Sequence, residues 1–274
     1  MIFDARQALR CSEAMAAVSS IILSAEVFMQ TDLFSDRGLL SWRVNRLTHP
    51  LIDRVTRMVG VDAVFRYQNF LRLQAVRLIL AIALLLAILM GRSTSALLSM
   101  EVMLTLLLHL RCSTSNDGSD QFTLIVLIAC MFAELVGTPL LYVGACCFVA
   151  GEAMVAYSTS GWLKILEPGW RDGSIITGVL ATSTFGNRSL YRWYSEHAAM
   201  AVCSGLGVAV GDCILGIAAL LPPSVCLTVL LFGFLLHVGI ARVLGLNTFL
   251  WAFCATYPPT YFVSSTLYGF IFKH

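Results

Sequence analysis

Charge is scarce in this chain of 274 residues: Asp, Glu, Lys and Arg make up 12% of it, about half the share of a soluble domain. With 58% hydrophobic residues and a mean hydropathy of +0.81, water is excluded as its main solvent. Lysine is nearly missing, present only as Lys164 and Lys273, and the net charge of +2 excludes a nucleic-acid partner. No C-x-x-C pair exists, and Cys146 and Cys147 are adjacent with diverging side chains, which excludes zinc-ribbon and thioredoxin-like chemistry. Most of the nine cysteines fall in apolar runs, where they read as small hydrophobes. A cleavable signal peptide is also lacking. Ala14 to Met29 is interrupted by Ser19, Ser20, Ser24 and Glu26, so the N-terminus is expected to be retained.

What the chain has is arginine at its start and apolar runs after it. Arg6, Arg10, Arg37, Arg43, Arg46, Arg54, Arg57, Arg66 and Arg72 precede the first long run. Leu51, Ile52, Val55, Met58, Val59 and Val61 recur among them at helical spacing, which predicts a helix lying in the membrane interface. Residues 1–70 thus read as a basic amphipathic segment and 71–274 as the membrane domain. Met15 to Met29 reads as a short buried helix rather than a span, because Glu26 and the serines insert poorly. Seven spans follow, at Val76–Met90 (extended back to Leu71), Ala96–Leu110, Phe122–Val136, Leu140–Ile165, Ala198–Leu221, Cys226–Val243 and Phe249–Phe270. Pro139 suits the first turn of the fourth, and Asp120 is placed to cap the third. The fold class expected is an all-α polytopic bundle of about seven spans, within a range of six to eight, with lipid as its surroundings. Arg111, Arg171, Arg188, Arg192 and Arg242 fall on one side, against Arg92 and Lys273 on the other, so the N-terminus is expected to be cytoplasmic.

Glu101, Glu134, Glu152 and Asp212 lie within or near apolar spans, where a carboxylate costs ~2.5–3.5 kcal/mol, so each should face the bundle interior. They read either as a polar cavity for proton transfer or a polar substrate, or as protonated groups bonded to neighbouring helices. His109 and His237 read as interior donors rather than metal ligands. Gly207 and Gly211, four apart in the fifth span, predict a close helix approach. A dinucleotide fingerprint is ruled out there by Val210. Lys164 ends the fourth span, followed by a break at Pro168, and Trp162 and Trp170 flank it. Snorkelling to headgroups accounts for such a lysine without any chemistry.

Two inter-span segments resemble the HTTM superfamily, the membrane domain shared by vitamin K-dependent gamma-carboxylases and bacterial homologues that include membrane proteins maturing a sporulation-delaying peptide toxin. Gly161, Lys164, Trp170, Asp172 and Gly173 match one motif; His109, Arg111, Gly118, Asp120 and Gln121 match the other. Arg72, Arg77 and the stretch from Gly245 to Pro259 fit as well, so that the likeness covers roughly residues 65 to 270. The resemblance implies that Lys164 acts as a base on a reduced quinone. That role needs a neutral amine, which apolar surroundings favour. Departures accompany it. The carboxylase has two adjacent lysines where Leu163-Lys164 stands here, and its large lumenal part has no counterpart before His274. The charge rule also puts Lys164 near the cytoplasmic end of its span, so glutamate carboxylation is not implied.

The reading that follows is a membrane protein of the bacterial cytoplasmic membrane acting in maturation, modification or export of a small peptide, with a maturation partner protein and quinone-linked chemistry. A nonenzymatic immunity or assembly module holding a peptide or lipid is the alternative. A secondary transporter ranks last, because only one broken region, near Pro168, is found where two in corresponding positions are required.

Overall fold

The computed structural model describes residues 4–48, 61–112 and 117–271, with isolated positions 54, 56 and 58 between them. Every regular element among the described residues is a helix: α1 (Ala5–Met29), α2 (Thr31–Phe34), α3 (Trp42–Thr48), a 3-10 turn (Val61–Phe65), α4 (Tyr67–Leu89), α5 (Ser95–Arg111), α6 (Gly118–Val136), α7 (Pro139–Leu166), α8 (Pro168–Arg171), α9 (Ser174–Ala181), α10 (Arg188–Glu196), α11 (Ala198–Gly216), a second 3-10 turn (Ala218–Leu220), α12 (Pro223–Leu244), α13 (Asn247–Cys254) and α14 (Tyr257–Ile271). Six of them, α1, α4, α6, α7, α11 and α12, are long and apolar enough to cross a bilayer. The expected all-α membrane bundle is therefore what the chain forms. The predicted interfacial helix around Leu51 to Val61 lies largely outside the described residues.

Four expected elements differ: α5, over the expected second span, has 17 residues and is not among the six, and the fifth span stops at Gly216 short of Leu221. Met15 to Met29 belongs to a helix that begins at Ala5 and runs for 25 residues, a full candidate span. The serines expected to oppose insertion are not presented to lipid: Ser19, Ser20 and Ser24 are all buried, and Ser19 shares a hydrogen bond of 2.8 Å with Thr123 of α6. Phe249 to Phe270 is not continuous, since the chain breaks at Ala255-Thr256 and restarts at Tyr257. Pro258 and Pro259 supply no N–H, so they fit the first turn of α14 but not the interior of one long helix. The third span is capped by Asp117 rather than Asp120. Asp117 accepts from the amides of Ser119 and Asp120, and the Asp120 carboxylate accepts from the Asp117 amide in return, closing a capping box.

The chain divides into two compact units, one of residues 1–12 with 139–274, the other of 13–138. In the second, Arg111 at the end of α5 is fully buried and gathers the chain before α4. Its guanidinium donates to the carbonyls of Phe65 (3.2 Å), Leu40 (2.9 Å) and Phe34 (3.3 Å) and lies 4.6 Å from the Phe70 ring centroid. Asn45 donates back to the Arg111 carbonyl at 2.8 Å.

In the first unit, α7 and α11 pack antiparallel, nearly backbone to backbone. A β-carbon on Gly161 would meet the Cys213 nitrogen at 2.6 Å and the Ala209 carbonyl at 2.8 Å, and one on Gly216 would meet the Ser158 nitrogen at 2.7 Å. Gly205 abuts the Trp170 carbonyl in the same way. The close approach thus uses positions 205, 209 and 216 of α11, a different face from the expected Gly207, which has open space around it; Gly211 instead receives the Phe232 ring of α12. Because Trp170 and Gly173 lie beside Gly205 and Ala201, the short helices α8 and α9 run alongside the first half of α11.

Candidate functional site

Ser160 and Lys164 are four apart on α7 and so share a face, and the glycine contact at Gly161 brings that face against α11. Lys164 Nζ lies 2.7 Å from Asp212 Oδ2, with side chains only 20% and 8% exposed. Ser160 donates to the same oxygen at 3.0 Å and accepts from Lys164 Nζ, so lysine, serine and aspartate close a three-membered ring of contacts. The Trp170 ring lies 5.3 Å from Nζ, a cation–π distance. Lys164, in the last turn of α7, is thus directed at Asp212 of α11.

A second polar group faces the same space. His237 of α12 is buried, and its Nδ1 lies 2.7 Å from the Gly233 carbonyl, which assigns the proton to Nδ1 and leaves Nε2 to accept from the Tyr157 hydroxyl at 3.5 Å. Tyr157 and Tyr257 hydroxyls meet at 3.4 Å, and Gly233 makes room for the latter, since a β-carbon there would stand 2.6 Å from it. Lys164, Asp212, Ser160, Tyr157 and His237 line one cavity of about 230 Å³, otherwise walled by apolar side chains. A larger, almost wholly apolar cavity of about 400 Å³ shares Trp170, Ile176, Val208, Leu236, Ile240 and Leu244 with it. The arrangement presents a hydrogen-bonding ion pair at the head of an apolar pocket.

The structure brings Lys164, Trp170 and Asp212 together and leaves the other candidate residues elsewhere. Asp172 is exposed and accepts from the Ser174 amide at 2.9 Å, closing the turn between α8 and α9; that bond holds its carboxyl below the usual range. Glu152 is half-buried on α7, three turns from Lys164, and Glu134 is half-buried near the end of α6. Arg111 is bound to backbone carbonyls. His109 lies 2.9 Å from the Thr105 carbonyl through Nδ1 and, with Asp120, lines a separate cavity in the other unit, while Glu101 is fully buried close by. The four intramembrane carboxylates thus divide between the two units instead of sharing one cavity. Sequence reading missed Ser160, Tyr157 and Tyr257. The four-residue step from Ser160 to Lys164 was a usable signal; the pairing of Tyr257 with positions 100 and 20 residues away was not.

No family model matches the sequence, and no curated protein or solved structure matches it either.

Proposed function

We propose that this integral membrane protein is of the HTTM type and moves a proton on a lipid-like, quinol-class substrate at Lys164, in the maturation or export of a small peptide in a bacterial cytoplasmic membrane. The observation that carries the reading is the Lys164–Asp212 pair set at the polar end of an apolar cavity. A substrate with a hydroxyl head and a long apolar tail matches both cavities at once, the head beside Ser160 and Lys164 and the tail along Leu236 and Leu244. The lysine's own proton passes to Asp212 across the 2.7 Å contact, freeing the amine to take the substrate hydroxyl proton. Ser160 keeps both groups aligned.

The test is replacement of Lys164 by Ala and by Arg in producing cells, with membrane insertion followed in parallel. Loss of the mature peptide with insertion intact supports the proton-transfer role; product at the wild-type level overturns it.

A nonenzymatic binding module is the second reading, favoured by the tight glycine-mediated crossing at which the ion pair sits. On that reading the pair is a clamp between α7 and α11, and the double replacement Lys164→Met with Asp212→Leu preserves function.

For sidedness, the arginine-rich stretch from Arg37 to Arg72 is placed on the cytoplasmic side by the charge rule. With α1 as a span, residue 4 is then outside, which reverses the expectation of a cytoplasmic N-terminus. A cysteine reporter at Arg46 should be missed by an impermeant label applied to whole cells and one at Asp4 reached; labelling at Arg46 overturns the orientation.

A further inference from the structure

The unit formed by residues 13–138 holds a second polar cavity that the proton-transfer reading does not use, about 200 Å³ in volume. Gln74 and Arg77 reach it from one face of α4, three residues apart, and Glu26, His109 and Asp120 line it from α1, α5 and α6. Arg77 is 2% exposed; its Nε donates to Ser24 Oγ at 2.9 Å, and Nη2 reaches the Ser20 carbonyl at 3.5 Å. Those contacts occupy two of the five N–H groups of a guanidinium. No carboxylate stands within ion-pair distance of it among the described residues; Glu101 and Asp120 act on it from farther away. Gln74 is also 2% exposed, and its Oε1 accepts no hydrogen bond among the described residues. Two groups buried inside a membrane-spanning helix, a donor fork with N–H groups to spare and an acceptor with no donor, therefore face one cavity.

We propose that this cavity binds a small zwitterion bearing a primary ammonium, its anionic group on the Arg77 guanidinium and its ammonium on Gln74 Oε1 and the Asp120 carboxylate. An anion alone would meet Glu26 and Asp120, and a cation alone would meet Arg77; a zwitterion satisfies both ends. The volume is below the roughly 300–1,000 Å³ typical of sites for larger organic ligands, so the head group is small. A free α-amino acid and the phosphoethanolamine head of a membrane lipid share this chemistry.

The experiment uses the full-length protein in nanodiscs of phosphatidylcholine, whose quaternary ammonium has no N–H to give Gln74. Glycine or phosphoethanolamine is titrated in one arm, and phosphatidylethanolamine replaces part of the lipid in the other. Saturable binding of glycine identifies a free amino acid, whereas a raised melting temperature in the second arm, with phosphoethanolamine but not glycine binding in the first, identifies the lipid head. In either case Gln74→Leu, or the slimmer Gln74→Met, should weaken the effect at least about tenfold, the loss of one hydrogen bond to a charged group. The proposal is overturned if neither arm responds, if glycine betaine binds as well as glycine, or if the folded Gln74 variants bind as tightly as the wild type.

Discussion

A β-carbon on Gly161 would stand 2.6 Å from the backbone nitrogen of Cys213, so α7 and α11 touch without side chains between them, one turn before Lys164. The ion pair owes its short distance to that contact. Gly161→Ala should cost about 1–3 kcal/mol by overpacking, because besides the Cys213 sulfur it meets two backbone atoms that cannot step aside. Gly207→Ala, in the same pair of helices but with nothing within 4 Å, should be neutral or slightly stabilising. Melting temperatures in detergent compare the two, and equal values would contradict the packing described.

The Lys164–Asp212 pair makes a prediction about stability separate from activity. Lys164→Met leaves a carboxylate 8% exposed without its partner, and Asp212→Leu strands the ammonium; each single change should cost about 3 kcal/mol. The double change removes both charges and should restore most of that loss. A double-mutant cycle of denaturation midpoints measures it. If the single changes are as stable as the double, the two groups do not compensate one another.

Arg111 looked in the sequence like a member of a motif with His109 and Asp120, and the structure gives it a different task. Arg111→Met leaves the carbonyls of Phe34, Leu40 and Phe65 without their donor, and a single unsatisfied group already costs about 1–3 kcal/mol. Arg111→Lys keeps the charge but cannot reach three acceptors at once. Both variants should release the chain before α4 to limited proteolysis, with the lysine variant in between.

The membrane bundle was legible because 3.6-residue periodicity and long apolar runs need no partner to be read. Span ends at Val136 and Pro139 were legible for the same local reason, since glycine and proline act on their own turn, whereas the fifth span, expected to reach Leu221, stops at Gly216. Ser19, Ser20 and Ser24 misled because a serine's cost in a span depends on the helix beside it, and Thr123 lies 104 residues from Ser19. The site was half legible. Lys164, Trp170 and Asp212 stand out as polar or aromatic residues in apolar surroundings, but the pairing of Lys164 with Asp212 is set by glycines on two helices.

Gly173 supplies the last test. Its φ of +79° is one that other residues adopt at a cost of about 1–2 kcal/mol, and a β-carbon there would lie 2.7 Å from Ala201. Gly173→Ala should therefore push the turn after α8 away from α11 and displace Trp170, which walls both cavities of the proposed substrate site. Asp172→Asn in the same turn should act differently, because Asp172 is exposed and only helps the Ser174 amide close the turn. Its carboxyl is held below the usual range, so its contribution is present above ordinary carboxylate pKa values and fades as pH falls through the folded-state value. In a variant keeping Trp170 as its sole tryptophan, a soluble quinone should quench fluorescence saturably. Gly173→Ala should weaken that quenching several-fold, the range a misplaced wall residue produces, while Asp172→Asn leaves it unchanged at neutral pH. Equal quenching in all three proteins would mean that Trp170 does not wall a quinone site.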